Sequence, residues 1–228
     1  MNVKLISWTM PNLDCSVPAT TLLELVAYVA RVSNPANQNN NETAEKLVKY
    51  LIKNKHWSPL EMADVTLEIE TTRDIGRQIL RHRSFSFQEF SQRYANVEEL
   101  GFEYKEARLQ DNKNRQNSIE TQNQKLKDDW YNLQNDIQAQ TRNAYKWAID
   151  NGIAKEVARA VLPEGIISTR MYMKGSLRSW IHYCQLRTSN GTQKEHREIA
   201  IECMEEINKI FPIMNEMCFP FIKEFPNN

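Results

Sequence analysis

The densest run of chemically capable side chains is TTRDIGRQILRHRSFSFQEFSQRY, from Thr71 to Tyr94, where Arg73, Arg77, Arg81, Arg83 and Arg93 stand with His82, Glu89 and Ser91. Arginines at this density repel one another unless an anion sits among them. The planar guanidinium answers such an anion with two charge-assisted hydrogen bonds, so a phosphate-bearing ligand is the chemistry this segment predicts. If Thr72 caps a helix, Gln78, Arg81 and His82 fall at i, i+3 and i+4 on one face, and their polar heads converge at its C-terminal end. Phe85 and Phe87 then alternate with Ser84 and Ser86, which reads as a strand carrying Glu89, Ser91 and Arg93 to the same neighbourhood. Two other readings stand beside this one. The arginines could be a solvated face paired with local carboxylates, or, interleaved with phenylalanine, an RNA-stacking surface, although no RNP motif, KH loop or basic excess accompanies them. His82 taken alone fits a satisfied structural histidine better than a ligand or a base.

Composition narrows the classes. A chain of 228 residues suits a single domain over 1–228, and 29 basic residues against 29 acidic ones leave no global field to draw it to nucleic acid or to an anionic membrane. Cys15, Cys184, Cys203 and Cys218 show no CxxC spacing and are too sparse for a disulfide framework or a zinc site, so no metal is expected and a reducing, cytoplasmic setting fits best. No leader-like N-terminus and no apolar run near the roughly 20 residues that span a bilayer is present, so no membrane association is expected. Gly76 alone makes no Rossmann fingerprint, so a dinucleotide would have to be held by side chains.

The elements that must position these groups read as an α+β fold with a mixed or antiparallel sheet flanked by helices. Val3 to Trp8 reads as a first strand. Ser16 and Pro18 open a helix that ends at Asn34-Pro35, and a second helix runs from about Thr43 to Asn54. Val65, Leu67 and Ile69 alternate with Asp64, Thr66, Glu68 and Glu70, giving the clearest strand of the chain, with one polar face open to water or ligand. A polar stretch from Asn112 leads into a long helix in which Leu126, Trp130, Leu133, Ile137, Ala144 and Ala148 recur at three- and four-residue steps until Gly152. Helical stretches at Val157 to Leu162 and Ser176 to Leu186 flank a strand at Ile166 to Met173, and a last helix starts near Thr192.

Arg81-His82-Arg83, seven intervening residues and Ser91 match the RHR-x7-S signature of the flavin-dependent thymidylate synthases (ThyX family), and Glu89 and Arg93-Tyr94 agree with its surroundings. His56, Ser58, Pro59 and Glu61 resemble that family's upstream H-x-SP-x-E segment, and Arg159-Ala-Val-Leu-Pro163 its later R-x-x-LP segment. LRSWIHYCQLR (Leu177 to Arg187) and QKEHR (Gln193 to Arg197) resemble the segments that follow. The resemblance thus covers roughly His56 to Arg197 in order. Met62, Phe87-Gln88 and Gln92 depart from its usual histidine, Val-Asn and glycine.

The resemblance implies a ThyX-like fold, a homotetramer with shared active sites, and methylation of dUMP to dTMP with FAD, NADPH as reductant and 5,10-methylenetetrahydrofolate as carbon donor. It assigns the flavin to Ser58, Arg81, His82, Arg83, Glu89, Ser176, Leu177, Arg178 and His182. The pyrimidine nucleotide goes to Gln78, Ile79, Leu80, Arg81, Glu89, Phe90, Ser91, Gln92, Arg93, Arg159 and Arg187, with Arg187 catalytic. A guanidinium beside N3 of uracil stabilises the deprotonated ring without itself titrating, which suits that role. Ser91 lacks the turn and base of a nucleophilic serine and reads as a ligand to the nucleotide. Cys184, one helical turn before Arg187, is the rival nucleophile, although a cysteine in an apolar helix is usually a small core residue.

Overall fold

The computed structural model describes residues 1–12, 14–94, 101–189 and 191–218. In chain order it runs through β1 (Asn2–Trp8), α1 (Leu22–Ala30), α2 (Ala44–Lys53), β2 (Asp64–Thr72), α3 (Arg73–Ile79) and β3 (Ser86–Glu89). There follow β4 (Arg108–Gln110), β5 (Ser118–Glu120), α4 (Gln124–Asp150), α5 (Lys155–Ala158), β6 (Ser168–Ser176), α6 (Leu177–Arg187), α7 (Lys194–Asn208) and α8 (Met214–Cys218). Period two does its work in β2. Val65, Leu67 and Ile69 are fully buried on one face, while Asp64, Thr66, Glu68 and Glu70 point to the other. β2 lies inside a four-stranded sheet of order β1-β2-β6-β3 whose pairings are all antiparallel. On the apolar face Met171 and Met173 of β6 extend the β2 row, and α6 and α7 cover it with Trp180, Tyr183, Ile199 and Cys203.

The polar face is a ladder of cross-strand partners rather than bare carboxylates. Glu68 takes Lys4 at 3.2 Å and the Tyr172 hydroxyl at 2.8 Å, Glu70 takes Arg170, and Asp64 takes Lys174 at 3.0 Å. Opposite charges at facing positions each stabilise a sheet by a few tenths of a kcal/mol, up to about 1.

Several elements differ from the sequence reading. α1 begins at Leu22, not at Ser16 or Pro18, because Thr21 and Glu24 form a reciprocal cap: the Thr21 hydroxyl accepts from Glu24 N at 3.2 Å and the Glu24 carboxylate accepts from Thr21 N at 3.1 Å. α3 stops at Ile79. Thr72 occupies its N-cap position without a capping bond, since its hydroxyl is engaged with Asp74 and Lys105. The polar stretch after Asn112 contains β5, which pairs with β4 in a hairpin closed by Asp111, whose Oδ1 accepts from Lys113 N and Asn114 N. Exposed strands held by polar contacts carry no apolar alternation to detect. The strand read at Ile166 to Met173 is β6, which starts at Ser168 and extends to Ser176, and Gly152 takes φ +77° where α4 ends.

α4 turns its polar side inward. Gln134, Thr141, Tyr145 and Ala148 face the body, where Gln134 clasps the Lys105 backbone at N (2.8 Å) and O (3.0 Å). Leu126, Trp130, Leu133 and Ile137, at steps of three and four, are exposed, as is Trp147.

Candidate active site

The turn after α3 builds the centre. Arg81 N bonds Gln78 O at 3.3 Å and His82 N bonds Ile79 O at 3.0 Å, so Arg81 and His82 sit in a tight turn beyond the helix rather than on its face. Gln78 and His82 nevertheless converge, because the turn swings the His82 ring to 4.9 Å from the ring of Tyr183 and 6.4 Å from that of His196. Arg187, in the last turn of α6, donates from Nε to His82 Nε2 at 2.9 Å. That bond requires His82 to be neutral with its proton on Nδ1. Burial, and then the Arg187 charge, push the His82 pKa down to about 4 and so favour that form. Among the described residues Arg187 has no carboxylate partner and no hydrogen bond from either Nη, which leaves the fork of the guanidinium available.

A cleft of about 350 Å³ lies where β6 runs into α6. Ser176, Arg178 and His182 line it with Ser84 and Ser86. Ser176 is also the N-cap of α6, its hydroxyl accepting from Ser179 N, so the helix start is fixed by a residue that faces the cleft. Arg178 is braced by Glu61 at 2.6 Å, and His182 packs edge-on to Trp57 at 4.4 Å, both from the segment that begins at His56. Ser58 is exposed at the head of the 3-10 turn Ser58–Met62. Leu177 is core, with its N–H bound to Ala63 O at 2.9 Å, and holds its two neighbours in place. Gly175 lets the ring of Phe85 lie on the strand, since a Cβ there would come within 2.4 Å of Phe85 Cδ1. Arg81 and Arg83 are exposed and have no ion pair among the described residues.

The remaining candidates form two further groups. Glu89 is shared by Arg77 at 3.5 Å and Arg73 at 3.6 Å and accepts from the Thr169 hydroxyl at 3.0 Å. Arg93 pairs with Glu156 at 3.4 Å, and Arg159 donates to the Glu156 carbonyl at 3.2 Å, which brings these two arginines to one residue. Ser91 accepts from Arg93 N at 3.4 Å, and Phe90 N bonds Arg170 O at 2.8 Å, extending the β3 edge. The Gln92 side chain is buried, and its Nε2 has no hydrogen-bond partner among the described residues. Such a group is rare unless a ligand or another chain completes it. Ile79 is fully buried and Leu80 is the C-cap of α3. Of the five arginines in the Thr71 to Tyr94 segment, Arg73, Arg77 and Arg93 pair with carboxylates, as a solvated face would, whereas Arg81 and Arg83 have no such partner among the described residues.

Cys184 is a core thiol. It is fully buried, its Sγ donates to Ala200 O at 3.7 Å, and burial followed by Cys218 raises its pKa well above the usual thiol value. A thiol so placed is a poor nucleophile. Sequence reasoning gave no role to Tyr183, Gln193, Glu195 or His196, which back the centre. The signal for Gln193, Glu195 and His196 was the polar string QKEHR at the start of α7, and Tyr183 lay unmarked within LRSWIHYCQLR of α6.

With this geometry in hand, the chain was compared with known proteins. Residues 18–213 match the family described as "Thymidylate synthase complementing protein". A protein of Paramecium bursaria Chlorella virus 1, named as a probable flavin-dependent thymidylate synthase, is 51% identical over 212 residues, covering 93% of this chain and 96% of that one. The flavin-dependent thymidylate synthase of Synechocystis is 49% identical over 213 residues, with the same coverage of 93% and 96%. A crystal structure of a UMP/dUMP methylase from Streptomyces cacaoi, bound with 5-Br dUMP, shares the fold at a TM-score of 0.79. It is 24% identical and is covered to 97%, against 99% of this chain.

Proposed function

The chain belongs to the flavin-dependent thymidylate synthase family, and we propose that it converts dUMP to dTMP at the centre formed by Arg187 and the His82 turn. The observation that carries this reading is the Arg187 guanidinium, anchored through Nε on a neutral His82 and presenting both Nη groups. A guanidinium stays charged at any working pH. Set beside N3 and the neighbouring carbonyl of uracil, it stabilises the deprotonated ring, and C5 becomes the electron-rich carbon that a methylene donor needs. Because Arg187 is aimed in advance by His82, no reorganisation is required when that charge develops.

The residues present fit a flavin dinucleotide. Arg178 and Lys174 at the cleft, and Arg81 and Arg83, which have no carboxylate partner among the described residues, suit an anionic diphosphate. Ser58, Arg81, His82, Arg83, Glu89, Ser176, Arg178 and His182 would hold it, with Leu177 fixing the helix start. Bound FAD, reduced by NADPH, would supply the hydride that turns the methylene of methylenetetrahydrofolate into a methyl group. Gln78, Ser91, Gln92, Arg93 and Arg159 would hold the nucleotide, and the unmet Gln92 amide supports a ligand there.

A cleft of about 350 Å³ is at the small end of pockets for drug-sized ligands, and FAD is larger than these. The remainder of the site is therefore assigned to a neighbouring subunit of a homotetramer. The exposed apolar seam of α4 supports such an assembly. We place the protein in the cytoplasm as a single catalytic domain over residues 1–228. One main core reaching from Val3 to Cys218 supports the single domain, and no helix among the described residues is long and apolar enough to cross a membrane. An anaerobic assay with FAD, NADPH, dUMP and methylenetetrahydrofolate tests the reading: dTMP formation is expected, and a colourless protein that makes none overturns it.

A further inference from the structure

Behind Gln78 lies a continuous line of polar groups that the resemblance to known sites does not account for. Arg108 Nη2, from β4, donates to Glu195 Oε1 at 2.6 Å, and Gln193 Nε2 donates to Glu195 Oε2 at 2.9 Å. Gln78 Nε2 donates to Gln193 Oε1 at 2.8 Å. His196 Nδ1 stands 3.1 Å from Gln78 Oε1, and the Tyr183 hydroxyl lies 3.2 Å from His196 Nε2. Glu195 is 6% exposed, Tyr183 1% and His196 not at all.

We propose that this line has a single sense dictated by the Glu195 carboxylate, and that it thereby fixes which way round the Gln78 amide meets the nucleotide. Arg108, Gln193, Glu195 and His196 are then positioning residues for substrate binding. The proposal rests on the reading of Gln78 as a nucleotide ligand. An ionised carboxylate only accepts hydrogen bonds. Gln193 must therefore turn its NH2 to Glu195 and its carbonyl to Gln78. Gln78 must answer with its own NH2, which leaves its carbonyl towards His196. Nδ1 of His196 must then carry the ring proton, and in a neutral imidazole Nε2 remains to accept from Tyr183.

Each step is set by the one before it, because a mismatched pair would leave buried groups of Glu195 and His196 unmet, and Gln78 and Gln193 between them are themselves half-buried. The charge that starts the line is secure. Burial raises the Glu195 carboxyl, but the bonds from Arg108, its own backbone and Gln193 outweigh it and hold the group below its ordinary value. At the other end, burial and then the charge of Arg187 keep His196 neutral. Gln78 keeps one N–H and one carbonyl lone pair uncommitted. The line decides on which side each lies, so a ring carbonyl that meets the N–H in this orientation would meet the amide oxygen in the reverse one.

Glu195→Gln is the decisive variant, since it keeps the shape and the acceptor for Arg108 but can offer an NH2 to Gln193. The whole line can then invert without a cavity, ending with Nε2–H of His196 donating to Tyr183. The full-length, FAD-loaded protein, labelled with 15N-histidine, reports the tautomer directly; the chain has four histidines, and His196→Asn identifies the signal. The expected result is Nδ1–H in wild type and Nε2–H in Glu195→Gln, with dUMP binding, read from flavin absorbance, weakened roughly tenfold (about 1.4 kcal/mol) and FAD affinity unchanged. His196→Asn, whose amide can donate where Nδ1 did, is expected to bind dUMP within about twofold of wild type, and His196→Leu to share the roughly tenfold loss. An unchanged tautomer in Glu195→Gln overturns the proposal, as does a switched tautomer with undiminished dUMP binding. Wild type that binds FAD but not dUMP overturns the reading of Gln78 as a nucleotide ligand; the tautomer spectra, recorded without nucleotide, show separately whether the line itself holds.

Discussion

Acid should destabilise this protein from about pH 6.5 downward, and His196 sets the size of the effect. It is fully buried between Gln78 and Tyr183, and burial, then Arg187 and His82, push its pKa from the ordinary 6.5 down to about 3. A depressed folded-state pKa means that the unfolded chain takes up the proton first. The stabilisation is therefore complete above pH 6.5 and is lost as pH falls from there towards about 3, at about 1.4 kcal/mol per pH unit. Between about pH 6.5 and 5 this single side chain removes about 2 kcal/mol, a sizeable part of a typical stability of about 5–15 kcal/mol. His82, lowered to about 4 by burial and Arg187, adds a smaller share because it is only half-buried, and His182 is lowered in the same direction. Glu61, Glu68 and Glu195 are held below the ordinary 4.5 and so lose their contribution only beneath it, whereas burial raises Glu202, whose earlier protonation in the folded chain opposes the loss. Urea unfolding at fixed protein concentration, stepped through the window, measures the slope. His196→Asn should flatten it by about 1.4 kcal/mol per pH unit. Parallel slopes for variant and wild type, or no slope at all, would refute the reasoning.

Gly175→Ala drives a methyl into Phe85, which Trp180 at 4.8 Å and Tyr183 at 6.0 Å keep from swinging away. Denaturation should show a loss of about 1–3 kcal/mol, and retained flavin should fall because Phe85 sits between Ser84 and Ser86 of the cleft. Cys184→Ala should keep dTMP formation and cost about 1 kcal/mol of stability, whereas Arg187→Ala should keep flavin and make no dTMP in the anaerobic assay. An inactive but folded Cys184→Ala would restore the thiol as a nucleophile. The double change Leu133→Glu and Ile137→Glu, at 56% and 45% exposure, should break the assembly as read by light scattering while leaving helical circular dichroism intact; a persistent tetramer would remove α4 from the interface.

What the sequence reveals depends on how locally each feature is encoded. β2 is legible because its period-two pattern has its buried row entirely within the strand, and α2 because Thr43 and Asn54 flank it. The start of α1 is local too, written in Thr21 and Glu24, but Ser16 and Pro18 offer a competing start signal. The β4-β5 hairpin is invisible, since its strands are fixed by distant charges such as Arg108 with Glu195 and Lys194 with Glu120. α4 misleads for a different reason: its apolar repeat is real, but from Leu126 to Ile137 the face it marks is turned away from the body of the chain, and only Ala148 at its end is buried. In the site, Arg81, His82 and Arg187 are named by their motif. The network from Arg108 to Tyr183 joins residues 75 positions apart, and neither periodicity nor spacing links them.

The sheet's topology also sets a timetable for the growing chain. β2 ends at Thr72, but its partner β6 begins only at Ser168 and pairs along the whole of it, from Asp64 with Ser176 to Thr72 with Ser168. At ribosomal rates of about 5–20 residues per second, that strand waits on the order of 5–20 seconds with β1 as its only neighbour in the sheet. Val65, Leu67 and Ile69 stay without their Met171 and Met173 neighbours throughout that interval. A product truncated before Ser168 therefore carries a permanent apolar sheet edge, which makes it a substrate for chaperones and proteases rather than a partial enzyme.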